Sequence, residues 1–423
     1  MDAYSNKSQA RSLRPSRLQA FAARRISQAL AGLTSCRLRV ELPGGYRFTV
    51  GPEQSELSAD WTIHKWNALL RIAASGTLGF SEGFVNAEWD TADLPVLLTA
   101  LARELDQVSA ARGRGGPSRI LGRVQHWLNG NTRRGSRRNI SFHYDLGNDF
   151  YRQWLDDSMT YSSAVFANDD ESLADAQARK YRRICDSLKL KPGDRVLEIG
   201  YGWGGFAEVA IRDYGCHVTG VTLSQEQLDF ARARLDAAGL ADRADLRLQD
   251  YRDVDERFDA IASIEMFEAV GEAHWPVYFQ RLHHCLKPGG KAALQIITIR
   301  ELDFADYRTS ADFIQKYVFP GGMLPPVPLL AELAREAELV PQAQTMFGDS
   351  YARTLSAWHR SYRASWPDIE AMGFDARFDR IWRFYLAYCE AGFRTGRIDV
   401  GQFVYAKPLA ATLQDTLTGC TPA

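Results

Sequence analysis

The chain lacks any apolar run of the ~18 to 20 residues that a bilayer span requires, which excludes a helical membrane span. It also lacks a C-x-x-C pair. Its six cysteines, Cys36, Cys185, Cys216, Cys285, Cys389 and Cys420, are scattered, which gives no metal site and fits a reducing compartment. Neither charge is in excess: 51 basic against 52 acidic residues leave a net charge of -1, which argues against a dedicated nucleic-acid binder. Ser8 to Ala31 is rich in Arg and Ala and carries a helical stripe. It has no apolar core followed by a cleavage site, so it reads as a surface helix of a cytoplasmic protein. Acids are missing altogether between Gln107 and Tyr144, where Arg112, Arg114, Arg119, Arg123, Arg133, Arg134, Arg137 and Arg138 stand. That stretch is a basic, glycine-containing connector with a short amphipathic piece at Ile120 to Leu128.

What the chain does have is length and apolar content. Its 423 residues, 45% of them hydrophobic, suffice for two to three domains at about 150 residues each. The organisation expected is a small N-terminal α+β domain (1–106), the basic connector (107–138), a larger α/β domain (139–410) and a tail (411–423). In the first domain, RLRVELPGGYRFTVG reads as two strands around Pro43-Gly44-Gly45. Thr62 to Ser75 carries apolar residues at helical spacing, and a further apolar helix follows an N-cap at Thr91 or Asp93. From Asn139 strands are expected at Arg195–Ile199, His217–Leu223, Asp245–Gln249, Phe258–Ile264 and Lys291–Ile299, with helices between them. Ser224 would N-cap the helix to Ala238, with Gln227 completing a capping box. Such alternation implies a parallel sheet with its ligand at the carboxyl ends of the strands. GQFVYAKP, near the end, is expected in a closing strand pair.

The richest segment is RVLEIGYGWGG, Arg195 to Gly205. A short apolar strand carrying Glu198 runs into Gly200, Gly202, Gly204 and Gly205, and a helix follows. Glycines allow the tight turn, the positive φ and a close ligand approach. Gly200, Gly202 and Gly205 satisfy the dinucleotide pattern G-x-G-x-x-G, but that fingerprint wants an acid on the ribose about 20 residues on. The region reads GVTLSQEQ, and its acid, Glu226, falls inside the next helix. The acid stands instead two residues before the first Gly, and E-x-G-x-G resembles class I S-adenosylmethionine (AdoMet) methyltransferases. On that reading Glu198, Gly200 and Gly202 lie against the methionine part. Thr222 and Gln227 give an uncharged ribose grip. Gln249, Asp250 and Tyr251, in QDYRD, lie where an adenine pocket would be.

HYDLGNDFYRQWLDDSMTYSSAVF, VLEIGYGWGG, GVTLSQEQ, QDYRD, MFEAVG, KYVFPGG and FGDSYARTLSAWHRSY together resemble the cyclopropane-fatty-acyl-phospholipid synthase family, over about Asn139 to Lys407. GTLGFSEGFVNAEWDTADL resembles the N-terminal domain of its longer bacterial members. The resemblance implies a class I methyltransferase sheet with helical lipid-binding insertions. It implies methyl transfer from AdoMet to a cis double bond of a phospholipid acyl chain, at the inner face of the membrane, followed by proton loss that closes a ring. It places Tyr161 and Ser162 on the cofactor. It also implies a bicarbonate base held by five positions, which here are Ser163, Glu268, Gln295, Ile297 and Tyr351. Glu268, Ile297 and Tyr351 match the family pattern. Ser163 replaces a Cys, Gln295 replaces a His, and Ala269 replaces the His after Glu268. Those departures put ring closure in question more than methyl transfer, since a methylene- or methyl-branched chain needs a different proton loss. Tyr161, Trp203, Tyr317, Phe319, Phe347 and Tyr351 are the candidate aromatics for a sulfonium or a carbocation. The basic connector reads either as a surface for anionic phospholipid or as a solvated linker. A homodimer is left open. Two other readings stand beside this one: a methyltransferase of soluble small molecules or RNA bases, and a non-catalytic lipid-binding relative.

Overall fold

The computed structural model describes residues 14–55, 57–111, 146–310 and 312–409. The arginine-rich part of the connector, its amphipathic piece, His143 to Asp145 and the tail lie outside the described residues. The chain divides into two compact units, residues 1–115 and 116–423.

In the first unit Ser16 caps α1 (Arg17–Ala29) through a capping box with Gln19. The two strands expected around Pro43-Gly44-Gly45 are β1 (Cys36–Leu42) and β2 (Tyr46–Val50), an antiparallel pair. A third strand was not expected. Leu57–Ile63 forms β3, parallel to β1, because Ala59, Trp61 and Ile63 alternate inward with Ser58, Asp60 and Thr62. The helix read from Thr62 therefore begins at Asn67, as α2 (Asn67–Val85). A two-residue β4 (Trp89–Asp90) pairs with β3 and closes the order β2-β1-β3-β4. Asp93 caps α3 (Leu94–Ala111), its Oδ1 accepting from the Val96 N–H at 3.0 Å.

The second unit opens with α4 (Asn148–Arg152) and α5 (Leu173–Leu188). The α/β run then gives β5 (Arg195–Ile199), α6 (Gly205–Tyr214), β6 (His217–Thr222), α7 (Gln225–Ala237), β7 (Ala244–Leu248) and β8 (Phe258–Ile264). It continues with α8 (Trp275–Cys285) and β9 (Leu286–Ile299). Strand β9 starts earlier than expected: Pro288-Gly289-Gly290 is absorbed by an irregularity in its pairing with β8 rather than ending the strand. Helices α9 (Glu301–Tyr307), α10 (Phe313–Tyr317) and α11 (Val327–Glu336) precede β10 (Val340–Met346). Helices α12 (Gly348–Ala364), α13 (Trp366–Ala371) and α14 (Ala376–Arg394) precede β11 (Ile398–Ala406).

The sheet order is β10-β11-β9-β8-β5-β6-β7. Strands β9, β8, β5, β6 and β7 are parallel, and β11 joins antiparallel with β10 as the closing pair. A parallel sheet is covered on both faces, and β5 shows why its strands read as unbroken apolar runs. Leu197 and Ile199 pack with Trp275, Phe279 and Leu330, while Val196 packs with Ile184, Phe206 and Leu228 on the other face. Each such side chain, fully buried, contributes about 1.5–3 kcal/mol. That rigid stack fixes the loops at the carboxyl ends of β5, β6, β7 and β8, where ligands of open α/β sheets bind.

Candidate active site

Those loops and the 159–162 segment enclose one cleft. All ten residues expected on the cofactor line it: Tyr161, Ser162, Glu198, Gly200, Gly202, Thr222, Gln227, Gln249, Asp250 and Tyr251. Gly200 and Gly202 turn with φ of 79° and 53°, which side chains disfavour, and a Cβ on Gly200 would meet Met266 Cγ at 2.7 Å. Glu198 sits at the end of β5, 2% exposed, and its Oε2 has no hydrogen-bond partner among the described residues. Burial pushes its carboxyl well above the ordinary range, while the Ala207 N–H, Arg234 and Lys180 pull it back. An orphaned carboxylate oxygen at the wall of a glycine-lined cleft fits a polar, cationic ligand such as AdoMet.

The ribose side departs from one expectation. Ser224 caps α7, but the Gln227 side chain does not complete a capping box. Its Oε1 accepts from the Thr222 hydroxyl at 2.9 Å instead of from the cap backbone. Asp250 is engaged as well: Arg252 donates to both its oxygens, at 2.8 and 2.6 Å. On the opposite wall the Ser162 carbonyl accepts from Gln177 and the Ser162 hydroxyl accepts from Lys180 Nζ at 2.5 Å. Lys180 is fully buried. Burial pushes its ammonium down, and the carboxylates of Glu265, Asp156 and Glu198 pull it up.

The five residues expected around a bicarbonate separate into two groups. Glu268 Oε1 accepts from the Ile297 N–H at 2.5 Å, and its Oε2 has no hydrogen-bond partner among the described residues. The other three converge on Glu265. Its Oε1 accepts from the Ser163 N–H and from Gln295 Nε2, both at 2.8 Å, and its Oε2 accepts from the Tyr351 hydroxyl at 2.6 Å. Gln402, paired with Gln295 across β11 and β9, donates from Nε2 to Gln295 Oε1 at 3.1 Å. That bond fixes the flip of the Gln295 amide, so that its NH₂ faces Glu265. The Ser163 hydroxyl turns away and donates to the Ala164 carbonyl. The donors expected to hold a free bicarbonate are thus taken by a carboxylate of the chain itself. A second anion beside Glu265 and Glu268 would face two acids without these donors, so the residues present do not fit bicarbonate.

Glu265 is the functional residue that sequence reasoning missed. It stands directly after β8, at φ 50°, with its own N–H donating to the Gln295 carbonyl at 2.8 Å. A non-glycine residue in that region is held there at a cost and marks a constrained site. The available signal was an acid ending a parallel strand, where ligands bind. Burial pushes the Glu265 carboxyl up, and Tyr351, Lys180, Gln295 and the Ser163 N–H pull it down. Glu268 is pushed up to about 8, by burial first and then by the charge of Glu265. The two acids differ in their partners: Glu265 has three donors that favour its charged form, while Glu268 has a backbone donor and the neighbouring Glu265 charge against its own.

The expected aromatics divide similarly. Tyr161 and Trp203 line the cleft. Tyr351 holds Glu265 and packs edge-on to Trp358, which in turn packs against Tyr161 with ring centroids 5.3 Å apart. The Tyr161 hydroxyl bonds that of Tyr385 at 2.7 Å. Tyr317 packs on Phe313, Phe319 on Tyr385, and Phe347 lies under Arg183. The unforeseen rings, Tyr151, Trp154, Trp358 and Tyr385, come from separate elements that only the fold brings together.

Comparison with known proteins decides the family. The mycolic acid cyclopropane synthetase family model matches residues 131–403. The chain belongs to this family. Tuberculostearic acid methyltransferase UfaA1 of Mycobacterium tuberculosis is 38% identical, over 81% of this chain and 82% of its own length. Cyclopropane-fatty-acyl-phospholipid synthase of Escherichia coli is 34% identical, over 82% and 88%. The crystal structure of mycolic acid cyclopropane synthase CmaA1, complexed with SAH and CTAB, superposes with a TM-score of 0.60 at 31% identity, covering 64% of this chain and 98% of that one. This member of a lipid-modifying family is an AdoMet-dependent methyltransferase with the class I fold. Among the described residues no helix is long and apolar enough to cross a membrane, and no cluster of metal-ligating side chains occurs.

Proposed function

We propose that the enzyme methylates a cis double bond of an unsaturated acyl chain in membrane phospholipid, with Glu265 as the built-in base. The observation that carries this reading is the convergence of Ser163, Gln295 and Tyr351 on the Glu265 carboxylate. AdoMet would be held by Glu198, Gly200 and Gly202 at its methionine end, by Gln227 at the ribose, and by Gln249 to Tyr251 at the adenine. When bound, it supplies an electrophilic methyl group to one carbon of the double bond, which leaves the neighbouring carbon cationic. The rings of Tyr161, Trp358 and Tyr351 face such a charge without competing water. Glu265 then takes a proton as general base. Its three donors favour the anion, and burial raises its basicity. If the proton leaves the added methyl group, the freed electron pair closes a cyclopropane ring. If a hydride first shifts from the methylated carbon to its cationic neighbour, loss of a methyl proton gives a methylene and loss of a chain proton gives a methylated alkene.

Ring closure is the first reading. The second is favoured by Ser163, Gln295 and Ala269, which depart from the family pattern, and by Glu265, the fixed carboxylate that Ser163 and Gln295 hold in place of a small free anion. The acceptor lies in a bilayer, so the protein works as a peripheral enzyme at the cytoplasmic face. Mass spectrometry of phospholipids from cells expressing the chain tests the proposal. Acyl chains heavier by one CH₂ unit are expected, and NMR separates high-field ring protons from vinyl protons. Unmodified acyl chains alongside intact AdoMet binding would refute it.

A further inference from the structure

We propose that the outward face of α1 is a docking surface for anionic phospholipid bilayers. Helix α1 buries Ala22 and Ile26 on one side. On the other side Leu18 and Phe21, one turn apart, are 55% and 63% exposed. Exposed apolar side chains are ordinary singly, but here two large ones stand on one stripe. Arg17 precedes them and Arg24 and Arg25 follow, spaced so that all five share that face, and all are exposed. Arg14, just before the helix, is exposed too.

The charge pattern selects the occupant. No Asp or Glu occurs between Asp2 and Glu41, so no acid close in sequence offsets the arginines. An apolar centre flanked by arginines matches a surface where acyl chains begin beneath anionic headgroups. The aromatic and aliphatic tips enter the boundary while the arginines stay with the phosphates. An acidic protein or a nucleic acid would use the arginines but leave Leu18 and Phe21 in water. The inference rests on the reading that the acceptor is a bilayer lipid, and it names the part of the chain that reaches the bilayer.

Sedimentation of the full-length protein with vesicles tests it. One set is phosphatidylcholine alone and the other contains phosphatidylglycerol. Binding to the anionic set, falling with added salt, is expected. Each arginine removed weakens it roughly fivefold, so Arg24→Gln with Arg25→Gln loses about 25-fold. Leu18→Ser with Phe21→Ser loses at least tenfold even at low salt. Both pairs are surface changes, and both keep parental turnover on detergent-dispersed unsaturated phospholipid, where docking to a bilayer is not needed. Parental vesicle binding by both double variants overturns the proposal. So does equal binding to both vesicle sets, or binding to RNA or acidic protein without vesicle binding. Vesicle binding that depends on α1, with no lipid methylated in any form, supports the docking face and refutes the acyl-chain reading instead.

Discussion

The glycine-loop part of the cleft and the pocket of donors around Glu265, which lines the same cleft, lie at the carboxyl ends of the neighbouring strands β5 and β8, and each is organised by a buried carboxyl group. In the cleft, Glu198 keeps an oxygen with no hydrogen-bond partner, and burial holds its carboxyl well above the ordinary range. In the pocket, Glu265 takes hydrogen bonds from Ser163, Gln295 and Tyr351. On the proposed function a bound cofactor completes the first carboxyl group, and the protein itself completes the second. An unpaired buried polar group is costly, so the two carboxyl groups meet the same demand in different ways.

The sharpest way to break this contrast is Glu265→Gln. Turnover should fall by about 10²–10⁴-fold, the usual contribution of a positioned general base. Calorimetry should find AdoMet affinity within about twofold of the parent, because the proposed cofactor contacts do not include Glu265. A comparable loss of AdoMet binding would merge the two regions into one. Gly200→Val should do the converse. Its Cβ would meet Met266 at a φ that side chains disfavour, so AdoMet affinity should fall at least about tenfold while the fold persists.

The two regions also differ in how far they could be read from sequence. The cofactor side was legible because its demands are local: a glycine turn, one acid before it and a polar strand end lie within short segments. The sheet followed from the same periodicity. Strand β3 was lost because its alternation runs directly into a helical pattern, and Gln227 was misassigned because its partner is Thr222 rather than the cap. The acceptor side depends on contacts distant in sequence: Ser163, Glu265, Gln295, Tyr351 and Gln402 come from five elements or loops. Family resemblance brought three of these neighbours, Ser163, Gln295 and Tyr351, together around a bicarbonate, but only the fold reveals Glu265 at their centre.

A smaller effect separates the two acids of the pocket. The Glu268 carboxyl rises from 4.5 to about 8 on folding, so the folded chain retains a proton that the unfolded chain releases. Stability associated with that proton is present below about pH 4.5 and is lost as pH rises through 8. Glu268→Gln should therefore raise the melting temperature at pH 9 and leave it unchanged at pH 4.5. An equal shift at both values would assign the change to packing. The mildest test concerns Gln402. Gln402→Leu frees the Gln295 amide to flip, and should lower turnover about three- to tenfold and displace the pH profile, with AdoMet affinity unchanged. An unaltered pH profile would remove Gln402 from the network that orients the base.

Turnover in buffer stripped of carbon dioxide tests the central claim most directly. With Glu265 as base, the rate on unsaturated phospholipid should be the same with and without added bicarbonate. A rate that collapses on stripping and returns with bicarbonate would contradict it, and would return the role of base to a free anion.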